Sequence, residues 1–389
     1  MAEAYIVSAV RTAGGRRNGK LKDWHPADLG GAVVDALLER SGADPALIDD
    51  LIFGCVGQVG EQSQNVARNV VLSSNLPETV AGVSVDRQCG SSQQALHFAA
   101  QAVLAGSADA VIAGGVESMS RVPMGLPSVL PAEQGFGVSR GVRMAARYPG
   151  VKFSQFDGAE MIAAKHELTR EVLDAFGLES HRRAAAATRA GRFREEIIAL
   201  NVEGPDGVES HETDEGVRYD ASLEAMAQVK LLKEGGRLTA ATSSQICDGA
   251  SAVLVVNEAG LKALGRPPLA RIHHMSVFGG DPVIMLEAPI EATRRALSRA
   301  GLGLKDIDLY EVNEAFASIP LAWRKALDAD PEKLNVNGGA IALGHPLGAS
   351  GTKLMATMIN ELGRRGGRYG LQTMCEGGGM ANVTIIERL

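Results

Sequence analysis

The chain is poor in cysteine. Its 389 residues carry only Cys55, Cys89, Cys247 and Cys375, and these are far apart. No C-x-x-C pair and no metal-type Cys/His spacing occurs, which excludes a zinc ribbon and a disulfide scaffold. Long apolar runs are missing too, so no membrane span and no membrane partner is expected. The first residues, MAEAYIVSAVRT, lack a basic stretch followed by a long apolar one and read as a strand, not as a signal peptide. Positive charge is in deficit: the net charge is -7, which argues against a nucleic-acid partner. Aromatic residues make up only 4%. Few cysteines, no signal and enough chain for a large core together imply a reducing, cytoplasmic setting, where free thiols serve chemistry.

Glycine, at 46 residues, is abundant. It concentrates in the stretch 338–351, GGAIALGHPLGASG, where five glycines and Pro346 surround one histidine, His345. Such a run makes a poor helix and a poor strand. It suits a tight loop whose backbone approaches a ligand, with one imidazole projecting from it. Cys89, in DRQCGSSQQA, and Cys375, in QTMCEGGGMAN, have settings of the same kind. Singly, each cysteine also fits a buried structural role and the histidine a hydrogen-bonded loop residue. Cys89 follows an expected strand and precedes an expected helix at Ser91 to Leu104, and a helix N-terminus lowers a thiol pKa and supplies oxyanion donors. His345 would then act as general base for a Cys89 nucleophile, and Cys375 as a second proton carrier.

Strands are expected at Ala4 to Ala9, Ile48 to Phe53, Val83 to Val85, Ala110 to Gly114, Ala250 to Asn257, Leu269 to Ser276, Ile307 to Val312, Tyr369 to Met374 and Asn382 to Glu387. Helices are expected at Ala27 to Arg40, Gln64 to Leu72, Ile290 to Ala300, Glu314 to Leu327 and Gly351 to Gly363. Between about Ser120 and Ala240 the character changes to clustered Pro and Gly, charged helices at Arg170 to Phe176 and His181 to Arg194, and an acidic, turn-rich part at Glu203 to Tyr219. An internal repeat is also visible: ALLERSGADPALIDDLIF from Ala36 and ALSRAGLGLKDIDLYEV from Ala296 share the spacing from Arg40 to Ile48 and from Arg299 to Ile307. Cys89 in the first half and His345 in the second occupy corresponding loops, so two packed α/β halves would bring them to one interface. Asn313 and Glu314 fit either helix capping or a site at a strand's C-terminal end. Cys55 and Cys247 read as structural, His273 and His274 as strand residues, and Arg16 and Arg17 as a solvated loop within reach of a phosphate.

CGSSQQA around Cys89, NEAFA from Asn313, NGGAIALGHPLGASG around His345 and CEGGGM from Cys375 together resemble the thiolases, acyl-CoA:acetyl-CoA acyltransferases. GGVESMS from Gly114 and DGASA from Asp248 fit as well, and the order holds along essentially the whole chain. The resemblance implies a five-layered α/β/α/β/α core of two βαβαβαββ halves, residues 1–119 with 241–265 and residues 266–389, and a loop domain inserted at 120–240. It implies that His345 activates Cys89 and that Cys89 attacks a 3-ketoacyl-CoA. Cys375 then protonates the acetyl-CoA enolate and deprotonates the incoming CoA. One oxyanion site would use His345 and a water held by Asn313, the other the backbone N–H groups of Cys89 and Gly377. Arg218 and Ser244 would contact CoA, and Met285 and Phe316 would line an apolar pocket. No permanently bound cofactor is expected, with coenzyme A as co-substrate. A homodimer or homotetramer and a β-oxidation hydratase or dehydrogenase partner are also implied.

Three departures separate the chain from short-chain biosynthetic thiolases. Ser154-Gln155 replaces a His-Met pair, VKLLKEG replaces a KLRPAF-like stretch, and Glu376 stands where an apolar residue is common. They favour a degradative enzyme for longer or bulkier acyl chains over an acetoacetyl-CoA thiolase. A decarboxylating ketoacyl synthase is disfavoured by the second cysteine and NEAF. An inactive acyl-CoA-binding or scaffold protein is disfavoured by the intact catalytic positions.

Overall fold

A computed structural model describes residues 2–204 and 207–389. Nine main strands form one continuously paired sheet: β1 (Tyr5–Thr12), β2 (Asp50–Gly54), β3 (Ala81–Val85), β4 (Ala110–Ser118), β5 (Cys247–Val256), β6 (Ala270–Gly279), β7 (Leu309–Val312), β8 (Tyr369–Glu376) and β9 (Met380–Arg388). Their order is β7-β8-β9-β6-β1-β5-β4-β2-β3. β1 and β6 join through only two residue pairs, Tyr5 with Arg271 and Ile6 with Ala270, so the ladder divides there into two halves.

Two helices lie between the halves: α1 (Ser91–Leu104) and α2 (Ser350–Arg365). Ten of the 14 residues of α1 and 12 of the 16 of α2 are buried, as a helix covered on both faces requires. Their small and flexible side chains, Ala95, Ala99, Met355 and Met358 among them, share one core with residues of both sheets. The helices Pro26–Ser41 and Val66–Leu72 cover the outer face of the first half. Ala288–Ala300 and Ser318–Leu327 cover that of the second. The result is the expected five layers. β5 is buried along all ten residues, which explains its nearly unbroken apolar sequence.

The repeat reappears in three dimensions. The helices ending at Ser41 and Ala300 are each closed by a left-handed glycine, Gly42 with φ 64° and Gly301 with φ 69°. A single 3-10 turn follows each, Pro45–Leu47 and Leu304–Asp306, and then β2 or β7.

Two expected elements differ. Arg170 to Arg189 is one helix, not two. Gly177 does not interrupt it: a β-carbon there would lie 2.7 Å from Ala241 O, so glycine permits a close approach of backbone from outside the helix. The helix expected from Glu314 begins only at Ser318, because Asn313 and Glu314 are engaged elsewhere. The acidic stretch after Glu203 completes the hairpin Leu200–Gly204 with Gly207–His211; Pro205 and Asp206 lie outside the described residues.

Candidate active site

Gln88 has φ 51°, an uncommon conformation for a side-chain-bearing residue, and it sharpens the turn that presents Cys89 ahead of α1. The N-cap of α1, Gly90, offers no side-chain cap, and Ser91 N donates to Gln88 O at 3.0 Å. On the other side of the interface, the loop bearing His345 runs into α2. Cys89 and His345 line one cavity of about 700 Å³, together with Ser244, Phe316, Phe156 and Arg218.

The hydrogen bonds favour one tautomer of His345. Ser350 Oγ donates to Pro346 O at 2.8 Å, so its lone pair accepts from His345 Nδ1–H at 2.5 Å. Nε2 is then unprotonated, 3.4 Å from the amide nitrogen of Asn313. The Asn313 side chain also acts on Cys375, lowering the thiol's pKa against the larger effect of burial. Asn313 Oδ1 is buried and has no partner within the protein. Ser350→Ala is expected to lower kcat by about 10- to 100-fold, a common cost of freeing a group that orients a functional histidine. Steady-state kinetics with the fold checked by circular dichroism would measure it, and unchanged kcat would refute the tautomer assignment.

Burial lowers His345 to about pKa 3, with the Lys353 ammonium adding to the effect. Burial also pushes Cys375 up to about 12, and raises Cys89 well above its ordinary value, with Cys375 and Glu376 adding to it. This corrects the expected lowering of Cys89 by the helix N-terminus and a histidine: desolvation outweighs the dipole. The resting site is therefore neutral. A separated thiolate–imidazolium pair is disfavoured in such surroundings.

The histidine loop is held by charged groups, of which sequence reading singled out only Glu314. Glu117, in the quoted GGVESMS, accepts from Gly348 N at 2.8 Å and from Val56 N and Gly57 N at 2.9 Å. Glu314 accepts from Ile341 N at 3.1 Å, from Asn335 at 2.9 Å and from Ser180 at 2.7 Å. It braces the loop instead of facing the cavity. Lys353, fully buried in α2, donates to Leu343 O at 2.5 Å and Gly344 O at 3.2 Å. Arg11, Glu196 and Asp214 form a buried ionic group beside it. The signal available for these residues was an ionisable side chain inside an otherwise apolar or glycine-rich motif.

The remaining expected residues divide. Arg218, Ser244 and Phe316 line the cavity, and so do Arg16 and Arg17. Met285 is buried in the core of the second half and is not among the cavity-lining residues. Gly377 sits in the turn after β8, where a β-carbon would come within 2.8 Å of Gln88 Oε1, so it adjoins the turn carrying Cys89. Among the described residues no cluster of ligands for a metal ion occurs, and no helix is long and apolar enough to cross a membrane.

Residues 4–259 match the family model of the thiolase N-terminal domain, and residues 266–388 match that of the thiolase C-terminal domain. The chain belongs to the thiolase family. As a thiolase it is an acyltransferase. It is 54% identical to a steroid 3-ketoacyl-CoA thiolase of Mycobacterium tuberculosis over all of this chain and 95% of that protein. It is 43% identical to a 3-ketoacyl-CoA thiolase of Serratia proteamaculans over the full length of both. Among solved structures, human mitochondrial 3-ketoacyl-CoA thiolase superposes on this thiolase with a TM-score of 0.90 at 37% identity, covering 100% of this chain and 99% of the human one.

Proposed function

We propose that this thiolase degrades 3-ketoacyl-CoA esters by CoA-dependent thiolysis through a Cys89 acyl-enzyme, and that the acyl groups it takes are long or bulky. The observation that carries the reading is that Cys89 and His345 line one cavity. Cys89 gives its proton to His345 as its sulfur adds to the 3-keto carbon. Cleavage of the bond between carbons 2 and 3 leaves the acyl group on sulfur and releases the acetyl-CoA enolate, which Cys375 protonates. The resulting Cys375 thiolate takes the proton of incoming CoA. The CoA sulfur attacks the thioester, releasing shortened acyl-CoA and the Cys89 thiolate, which takes its proton back from His345. The enolate is the difficult species, and its oxygen falls to His345 and a water on Asn313, whose partnerless Oδ1 suits that task. The backbone N–H groups of Cys89 and Gly377 serve the tetrahedral oxyanion.

The size of the cavity and its apolar residues Met119, Met124, Phe156 and Leu347 support a bulky acyl group. The steroid thiolase relative supports the same class. Arg17 and Arg218 line the cavity with guanidinium groups suited to CoA phosphates, while Arg16 pairs with Glu215 at 3.6 Å and Asp220 lines it too. A reaction supplying 3-ketoacyl-CoA, the oxidation of a 3-hydroxyacyl-CoA, precedes this one, consistent with a β-oxidation dehydrogenase partner. β3 ends the sheet with one edge unpaired and Val83 45% exposed, which supports pairing with a second copy in a homodimer. Cleavage of a panel of esters, from acetoacetyl-CoA to long-chain and steroid-like 3-ketoacyl-CoA, tests the substrate class. The larger esters are expected to give the higher kcat/KM. Comparable turnover of acetoacetyl-CoA would refute the preference.

A further inference from the structure

Glu376 takes no part in these steps, yet it lies beside both thiols. It ends β8 directly after Cys375 and has no exposed surface. Neither of its carboxyl oxygens has a hydrogen-bond partner. Its carboxyl packs beneath the turn that carries the nucleophile: a β-carbon on Gly90 would lie 2.1 Å from Glu376 Oε1 and 2.7 Å from Asn382 Nδ2. That Asn382 amide donates to Gly90 O at 3.0 Å, while its own Oδ1 is buried without a donor. Because Glu376 is enclosed within one chain, a second subunit docking on this face does not reach it.

A carboxylate buried without donors is strongly disfavoured, and the neutral acid, which can donate a proton to a neighbouring acceptor, fits the place. Burial accordingly raises its pKa to about 8, with Arg87 opposing the rise and Asp86 adding to it. The charged and titratable groups facing it are Asp86 and Arg87 from the segment after β3, Cys89 from the turn before α1 and Cys375 from its own strand. Asn382 on β9 is uncharged. When Glu376 ionises, its charge raises the pKa of both Cys89 and Cys375.

We propose that Glu376 is a positioning residue for the catalytic thiols: as the neutral acid it backs the Cys89–Gly90 turn, and as the carboxylate it suppresses the reaction by placing a like charge beside the forming thiolate and oxyanion. The proposal rests on the reading of Cys89 as nucleophile. It also gives the departure from an apolar residue at this position a consequence, an upper pH limit on activity.

The test is single-turnover acylation of Cys89 by a 3-ketoacyl-CoA without added CoA, followed by mass spectrometry, in wild type and Glu376→Gln. The ratio of the Gln variant's rate to the wild-type rate is expected to rise about tenfold from about pH 6.5 to about pH 9.5, the effect of roughly one pKa unit from a neighbouring like charge. Taking the ratio cancels every ionisation the two proteins share. Glu376→Ile supplies the same comparison if the Gln variant fails to fold. A ratio that stays flat or falls with pH, while Cys89→Ala is inactive, overturns the role of Glu376 alone. Turnover surviving in Cys89→Ala overturns the nucleophile and this proposal with it.

Discussion

Cys89→Ala is expected to lower thiolytic kcat by at least about 10⁴-fold, to the level that binding and oxyanion contacts sustain without a nucleophile. Among the described cysteines, Cys89 alone lines the cavity. Cys375 is 1% exposed and is outside the residues lining the cavity. The substitution removes one buried sulfur and shortens a 6% exposed side chain, so it should cost little stability. The measurement is CoA-dependent loss of 3-ketoacyl-CoA, with intact-protein mass spectrometry for the trapped acyl group. Wild type should gain the mass of the shortened acyl chain, and the variant should gain none. An acyl adduct on the variant would show that another residue is the nucleophile.

Loss of the base should produce the second-largest effect, with a distinct pH signature. His345→Ala is expected to slow single-turnover acylation of Cys89 by about 10³- to 10⁴-fold near neutral pH, within the range ascribed to general acid–base catalysis and beyond it by the cost of a displaced oxyanion donor. The sign of its pH dependence follows from the two pKa directions. The folded histidine, at about 3, stays unprotonated throughout the neutral range, so its capacity to accept a proton does not change there. The Cys89 thiol stays protonated over the same range because burial raises it. Without His345 the proton must leave to solvent, so the residual rate should climb about tenfold per pH unit, as for any reaction through a minor deprotonated form. Wild type should lack that slope. A pH-independent residual rate in the variant would mean that a different base serves Cys89.

The two loops that carry Cys89 and His345 also show how far sequence could be read. The run of glycines around His345, the cysteine ahead of an alanine-rich helix, and the equal spacing from Arg40 to Ile48 and from Arg299 to Ile307 are local patterns, each set by backbone requirements of its own neighbourhood. The helix at Ser91 to Leu104 was legible to the residue because small side chains and a glycine N-cap define it locally. What escaped was long-range. Glu117 and Gly348 stand 231 residues apart, and nothing near either one announces their hydrogen bond. Glu314 fitted either a helix cap or a site at the strand's C-terminal end, but its carboxylate is claimed by Ser180, Asn335 and the Ile341 amide, and the helix starts later. Met285 matched a pocket position by resemblance, yet it packs in the second half's core.

The sequence by itself determined the class of chemistry, two thiols and an imidazole in glycine-rich loops, together with the duplicated α/β plan that carries them. Only the tertiary structure decided the state in which those groups rest. The protonation of Cys89, Cys375 and His345 depends on desolvation by surroundings drawn from both halves, and the tautomer of His345 depends on where the Ser350 hydroxyl sends its proton. Spacing along a chain encodes which backbone shapes are allowed. It does not encode how much water is excluded when two halves close on each other, and that exclusion sets the electrostatics of this site.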